Sequence, residues 1–471
     1  MKATQTGASR LARSLTLAAL LGASGAVLAD AERLEADLRA AFGAGGNLTL
    51  GDVSSAMLRS RVTAEDVMFE AQEGERLHID RYIVSGDYDS PDEVTLEGVR
   101  IEDSLTELTL MTAERIVLGE PSRAVFPLHE GLAPEDVRLG SLAIDDIAIE
   151  LASELAEEMF IDTPLQTRQG RMSIDSVRGK DLTHDAIGVF EMTGVAGSTE
   201  DVDGLGSGSF TLESMRFEGL RGIDVEGEER LDTLLLRNLV VDSREFAGSV
   251  AQLDLDGAFE DGKGGLRLES LELDLARMIE LAPAEERTQL RMASNVLTGG
   301  TGELRMDAAL LGSWQDTGEH SVLTSDSRID IQDALRLAFD ANLPVLLPEG
   351  VTPAEVFADA DWLERATLLG GDMHLMLSDQ GLFPRLVTLG AATQGVTEAQ
   401  YIEQARTQAQ GFGMMFGPEV QAVLVALVDL LEGSAEELDL RLTLPAQSKL
   451  STYADDPLGL PGKLGVKVET R

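Results

Sequence analysis

The ten residues Val94–Asp103, VTLEGVRIED, set Val94, Leu96, Val99 and Ile101 against Thr95, Glu97, Arg100 and Glu102. Apolar residues on one side and polar ones on the other are what a half-buried β-strand needs, because successive side chains leave a strand on opposite faces. A loose form of the same line recurs as LGSLAI (139–144), FEGLRG (217–222), LRNLVV (236–241) and LESLEL (268–273). Each unit has an apolar residue, a small or turn-prone residue two positions on, and a second apolar pair. The small residue invites a bulge or a close backbone approach at one place in every unit. The spacing has no fixed period, which argues for many similar strands rather than a tight solenoid. The expected class is therefore α+β and mostly β: a long antiparallel, repeat-like twisted sheet, forming a groove or a sandwich, with a C-terminal helical insert packed on it.

Working outward, residues 30–45 read as a short amphipathic helix, AERLEADLRAAF, with Leu34, Leu38 and Ala41 or Phe42 on one face. Residues 46–275 read as strand-rich, with a helical interruption near Glu150 to Phe160. Residues 276–377 read as mixed: helical text to about Leu297, a strand over GGTGELRMDAALLGSW, and a helix over Ile331–Asn342. Thr352-Pro-Ala-Glu355 is a capping box that opens a helix to about Arg365. Residues 378–433 form the helical insert. In SDQGLFPRLVTLGAATQGVTEAQ, Pro384 sits in a first turn, Leu382, Leu386 and Leu389 share a face beside Phe383, and Gly395 ends the helix. Thr397–Gln400 is a second capping box, with a helix to about Gln410. Pro418 opens a third helix with Val420, Val423, Leu424, Leu427 and Leu431 on one face, widened by Val425, Val428 and Leu430. A helix apolar nearly all round is buried or faces a partner. Residues 434–471 close the chain with ELDLRLTLP and GKLGVKVET as strands.

The first 29 residues carry Lys2, Arg10 and Arg13, then an apolar run from Leu15 to Leu21, then small residues before Val27-Leu28-Ala29. That is the pattern of a secretory signal peptide cleaved after Ala29, with a retained anchor as the alternative. Export implies a periplasmic location, and the remaining text predicts no transmembrane span in the mature chain. The 471 residues hold 83 acidic against 38 basic side chains, a formal charge of −45. Such a surface repels nucleic acid and anionic headgroups. Only six of the bases are Lys, and an acid-rich, lysine-poor balance favours solubility at high salt, as in a halophilic or marine bacterium. With no cysteine, the fold rests on burial and backbone pairing.

No stretch carries a complete catalytic signature. Gly257–Lys263 matches the start of a phosphate loop, but Gly264 stands where Ser or Thr must hold the metal, so a hairpin turn explains it better. Glu200, Asp201 and Asp203 are the weak candidates for calcium in a glycine-rich loop, without the spacing of a helix-loop-helix site or a nonapeptide repeat. Asp254, Asp256, Glu260 and Asp261 are a similar acidic group. The five His residues never fall at i, i+3 or i+4, and His129-Glu130 lacks the second His of a metalloprotease helix. No nucleophile elbow occurs. Paired carboxylates for sugar hydrolysis lack the expected aromatics, with 2 Trp and 4 Tyr in the chain. No cofactor or metal is expected.

The L-x-G-φ-x-φ lines, followed by the helical insert GLFPRLVTLGAATQGVTEAQ and a last pair of strands, resemble the large periplasmic proteins of proteobacteria grouped as AsmA-like and YdgA-like. The strand-rich part is also similar to the β-groove proteins of lipopolysaccharide transport. The likeness extends over about residues 46–450 and departs in the cleavable signal, where those families have an N-terminal anchor. The resemblance implies a non-enzymatic envelope role, holding or passing lipid acyl chains along an apolar groove, with lipid or another envelope protein as partner. The alternatives are an interaction module with a fully packed core and a hydrolase using unrecognised carboxylates. In the groove reading, Leu382, Phe383, Leu386, Leu389, Val420, Val423, Leu424, Leu427 and Leu431 form a lid or partner face.

Overall fold

The computed structural model describes residues 30–42, 45–56, 60–71, 74–126, 136–152, 169–200, 207–225, 229–244, 246–259, 261–352, 355–356, 362, 365–449 and 463–471. The expected signal peptide, His129, Asp201, Asp203 and Glu260 lie outside them. The chain divides into two compact units, Met1–Arg244 and Glu245–Arg471.

Unit 1 begins with helix α1 (Asp30–Phe42), whose Leu34, Leu38, Ala41 and Phe42 are buried at the spacing the sequence predicts. Strands β1 (Gly46–Thr49) and β2 (Val53–Ala56) both pair with β3 (Arg61–Ala71). From β3 the sheet is an antiparallel meander through β4 (Glu75–Asp87), β5 (Ser90–Asp103), β6 (Thr109–Gly119), β7 (Leu139–Glu150), β8 (Gln169–Leu182), β9 (Ala186–Glu200), β10 (Gly208–Arg221) and β11 (Thr233–Ser243). One continuous apolar cluster joins α1, the sheet from β3 to β10 and the segment Ala124–Phe126. Glu150, expected to begin a helix, is the last residue of β7, and residues 153–160 lie outside the described ones.

The strands share a feature that simple alternation does not contain. Val94 and Leu96 are buried in β5, then Val99; Leu142 and Ile144 in β7, then Ile147 and Ile149; Met172 and Ile174 in β8, then Val177. In each strand one gap of three interrupts the gaps of two. The two residues inside that gap, Glu97-Gly98, Asp145-Asp146 or Asp175-Ser176, leave the apolar face together. The backbone absorbs the extra step with a left-handed residue in every second strand: Asp66 in β3, Gly98 in β5, Asp146 in β7, Gly194 in β9 and Asn238 in β11. Asn and Asp tolerate that region better than other residues with a Cβ. At Gly194 a Cβ would lie 2.0 Å from Oδ2 of Asp175, so glycine is required by contact as well as by φ. The expected bulge residues of the recurring lines are left-handed at Gly98, Gly219, Asn238 and Ser270, whereas Ser141 is not, and Asp146 takes that role in β7.

Unit 2 continues in the same style with β12 (Ala247–Asp256) and β13 (Lys263–Asp274). The two pair antiparallel in a hairpin, with Gly257 and Gly262 in the connection between them, as the turn reading expects. Helices α2 (Leu275–Leu281) and α3 (Arg287–Thr298) follow, then β14 (Glu303–Asp316), β15 (Ser321–Ile331) and β16 (Leu335–Leu346). The helix expected over Ile331–Asn342 is not there. Leu335, Leu337, Phe339 and Ala341 alternate with Arg336, Asp340 and Asn342, and this two-residue period wins because β16 pairs with β15 on one side and with β18 (Gly371–Asp379) on the other. The short β17 (Thr367–Leu368) also pairs with β16.

Thr352 and Glu355 cap each other as predicted, the Thr352 N–H donating to Oε2 of Glu355 at 2.6 Å. Between β18 and β19 (Glu437–Leu444) the chain inserts α4 (Leu382–Gln394), α5 (Glu398–Phe416) and α6 (Pro418–Glu432). The capping box at Thr397 and Gln400 is formed, and α5 runs past the expected end near Gln410 to Phe416. Strand β20 (Gly465–Thr470) pairs with β19. Among the described residues no helix is long and apolar enough to cross a membrane.

Candidate functional site

The sheet of unit 2 brings apolar side chains into rows. Leu268 pairs with Ala308, Ala308 with Ile329, Ile329 with Leu337, Leu337 with Leu377 and Leu377 with Leu438. A second row joins Phe339, Leu375, Leu440 and Val468. Directly opposed residues share a face, so these rows form one aliphatic surface. The bulge at Ser270 keeps Leu271, opposite Met306, on that surface. At about 4.8 Å between strands, the surface spans roughly 19 Å from β13 to β18.

Two apolar clusters lie at its ends. At one, Leu323, Val345, Val356, Ala366, Leu368 and Leu444 are buried beside Trp314, Leu343 and Met373. At the other, Ala426 and Leu430 of α6 pack on Leu438, with Phe383, Leu377, Leu427 and Val468 against them. Between them Leu268, Leu271, Met306, Ile329, Leu337, Phe339, Leu375 and Leu440 are only half-buried, and Leu310 is 44% exposed. The helical insert therefore packs on the sheet and covers one end of its apolar face.

The residues of the helix faces named from the sequence are mostly half-buried. On α4 the buried residues are Val387 and Ala391, with Phe383 directed to the sheet; Leu386 is 37% exposed, and Leu382 and Leu389 are half-buried. Val387 and Ala391, in line with Phe383 at four-residue spacing, are the buried side of α4, and the side that carries Leu382, Leu386 and Leu389 is left partly in water. On α6, Val420, Val423, Leu424, Leu427 and Leu431 are half-buried, while Ala426, Val428 and Leu430 are buried. Of the residues that widen the face, Val428 and Leu430 are buried and Val425 is half-buried. Sequence reading missed the sheet residues, whose alternation marks a face without saying whether anything covers it.

The opposite face of this sheet is charged. Asp439, 4% exposed, lies 3.0 Å from Nε2 of His374 and accepts from Arg441 at 3.1 Å. Burial works against its charge, but Arg441 and His374 outweigh that and hold its carboxyl below the ordinary aspartate range. No hydroxyl nucleophile joins His374 among its described partners, so the arrangement serves as an ion network within the sheet. In unit 1 the Glu114 carboxyl is pushed up by hydrogen bonding to Asp146 and by its charge. Glu200 closes β9 opposite Gln169, and no cluster of metal-ligating side chains occurs among the described residues. An acidic group shared with Asp201 and Asp203 lies outside them.

Residues 328–471 match a family described only as "Uncharacterized protein". That match begins within β15 and takes in the insert and the last strands. No curated protein matches the chain.

Proposed function

We propose that the chain is an exported envelope protein that holds lipid acyl chains against the apolar face of the unit 2 sheet. The observation that carries this reading is the half-exposure of Leu268, Ile329, Leu337, Phe339 and Leu375 between two ends that are sealed. A continuous aliphatic surface of this kind is kept in contact with water only where something occupies it. Covering it fully gains on the order of 5 kcal/mol, at about 1 kcal/mol for each half-exposed Leu-sized side chain. The low aromatic content, 4% of residues, suits flexible hydrocarbon better than a sugar or a nucleobase. Helices α4 to α6 are the lid at one end, with Phe383 and Leu427 touching the sheet. The formal charge of −45 turns the rest of the surface away from anionic headgroups, leaving the hydrocarbon as the part recognised.

Solvent extraction of the purified chain followed by lipid mass spectrometry tests the proposal. Stoichiometric phospholipid or fatty acid is expected in the native chain and is lost when Phe339 is changed to Glu. Lipid-free protein after gentle purification, unable to take up a fluorescent fatty acid, would falsify it.

A further inference from the structure

The helical hairpin α5–α6 ends in an apolar tip that the acyl-chain reading does not use. From Thr407 to Pro418 the chain reads TQAQGFGMMFGP, with no charged residue between Arg406 and Glu419. Met414 is 85% exposed, Met415 73% and Phe412 47%. Phe416 is half-buried and stacks on Phe412 with ring centroids 6.1 Å apart.

The turn is made at Gly417, whose φ of 105° and ψ of 166° suit only glycine. Arg406 bonds Glu432 at 2.6 Å and closes the hairpin at its other end. Gly413 is the side of α5 applied to α6, since a Cβ there would lie 2.4 Å from Cβ of Gln421.

At about 100° per residue, Phe412, Met414, Met415 and Phe416 then occupy every direction of the last turn except the one facing α6. A groove on a partner protein is met by one stripe of a helix. A tip apolar on all its free sides fits a medium that is apolar in all directions.

We propose that residues 412–416 insert into the hydrocarbon of a zwitterionic lipid bilayer and dock the hairpin on it. Flexible methionines adapt to disordered chains, and residues 412–416 themselves carry no ion to desolvate, the nearest charge being Glu419 beyond the Gly417 turn. The strongly acidic remainder disfavours an anionic surface. This inference stands apart from the acyl-chain reading: vesicle docking by a chain that carries no lipid would sustain the one and sink the other.

The experiment floats the full chain with phosphatidylcholine vesicles and compares it with the double variant Met414→Glu, Met415→Glu. Both positions are largely exposed, so folding is expected to be unchanged by circular dichroism, and the bound fraction is expected to fall at least tenfold. Because the chain has no cysteine, Met415→Cys carries a single environment-sensitive label. Its emission is expected to shift to the blue on adding vesicles and to be quenched by brominated acyl chains. This local readout also excludes binding through the apolar run Leu15–Leu21 and decides the matter if the double variant fails to fold. An unshifted label, equal flotation of both chains, or binding only to anionic vesicles overturns the proposal. So does a concentration-dependent dimer that the double variant loses while vesicles have no effect.

Discussion

From β3 to β8 of unit 1 the apolar side of the sheet is sealed: Ile79 and Val94 are 0% exposed, and Ala113 and Ile116 are 1% exposed, whereas in β10 and β11 Met215, Phe217 and Leu236 are half-buried. In unit 2 the same kind of side chain on the same kind of antiparallel ladder is left half in water at Leu268, Ile329, Leu337 and Leu375, and Leu310 is 44% exposed. The difference follows from what each sheet has to cover it. Unit 1 has α1, the segment Ala124–Phe126 and strands β3 to β10 in one cluster. Unit 2 has its cover at the two ends. Alternation therefore decides which side of a strand is apolar, whereas coverage decides whether that side is a core or a binding surface.

Truncation in the two faces tests this most strongly. Ile116→Ala should cost about 4 kcal/mol, because a fully enclosed side chain leaves a cavity that its neighbours cannot fill. Leu375→Ala, on a surface already open to solvent, should cost about 1 kcal/mol. Urea denaturation of both variants measures the gap. Equal costs would mean that the unit 2 face is packed as tightly as the unit 1 core.

The step in the pleat offers a second comparison, between strands of unit 1. Gly194→Val places a Cβ against the Asp175 carboxylate and forces a β-branched residue into the left-handed region, for a cost of about 3 kcal/mol. Asn238, at the same step in β11 with φ of 49°, should accept glycine with a change below about 0.5 kcal/mol. A neutral Gly194→Val would show that the step is not fixed by that contact.

Asp439→Asn should destabilise unit 2 by about 2 kcal/mol at neutral pH through the loss of charged hydrogen bonds to Arg441 and His374. The folded carboxyl titrates below the unfolded one, so its contribution is present above the ordinary aspartate pKa and is lost as pH falls through the depressed folded value. Thermal melts of both chains should therefore converge on acidification below the usual carboxylate range. A difference that persists at the acid end would assign the effect to packing instead of charge.

Much of this architecture was legible in local text. VTLEGVRIED is β5, the capping boxes at Thr352 and Thr397 are formed, and Gly395 and Gly433 end their helices in the left-handed conformation. Two readings needed tertiary information. IQDALRLAFDAN supports both a helical and a two-residue period, and only the flanking β15 and β18 select the strand. That Val387 and Ala391 are the buried side of α4 also depends on neighbouring elements that local text does not contain. The apolar site was hidden for the same reason: LRLESLELDL looks alike whether its leucines face a second layer or water. The tip at Met414 and Met415 carried a readable signal in its uncharged run, but exposure itself came only with the hairpin.

A substitution with little expected effect on stability separates the two faces most sharply. Leu310→Glu replaces a side chain that is already 44% exposed and lies beside Leu266 and Ser327 on the open surface. Folding should shift by less than about 0.5 kcal/mol, since the carboxylate can stay hydrated. Acyl-chain retention should nevertheless fall, because a bound hydrocarbon would have to desolvate that charge or leave it room. In unit 1 the equivalent change, Ile144→Glu, at 3% exposure, should abolish folding. A chain with Leu310→Glu that folds normally and still holds the same lipid would place the ligand elsewhere, whereas normal folding with an emptied surface would locate it on β14.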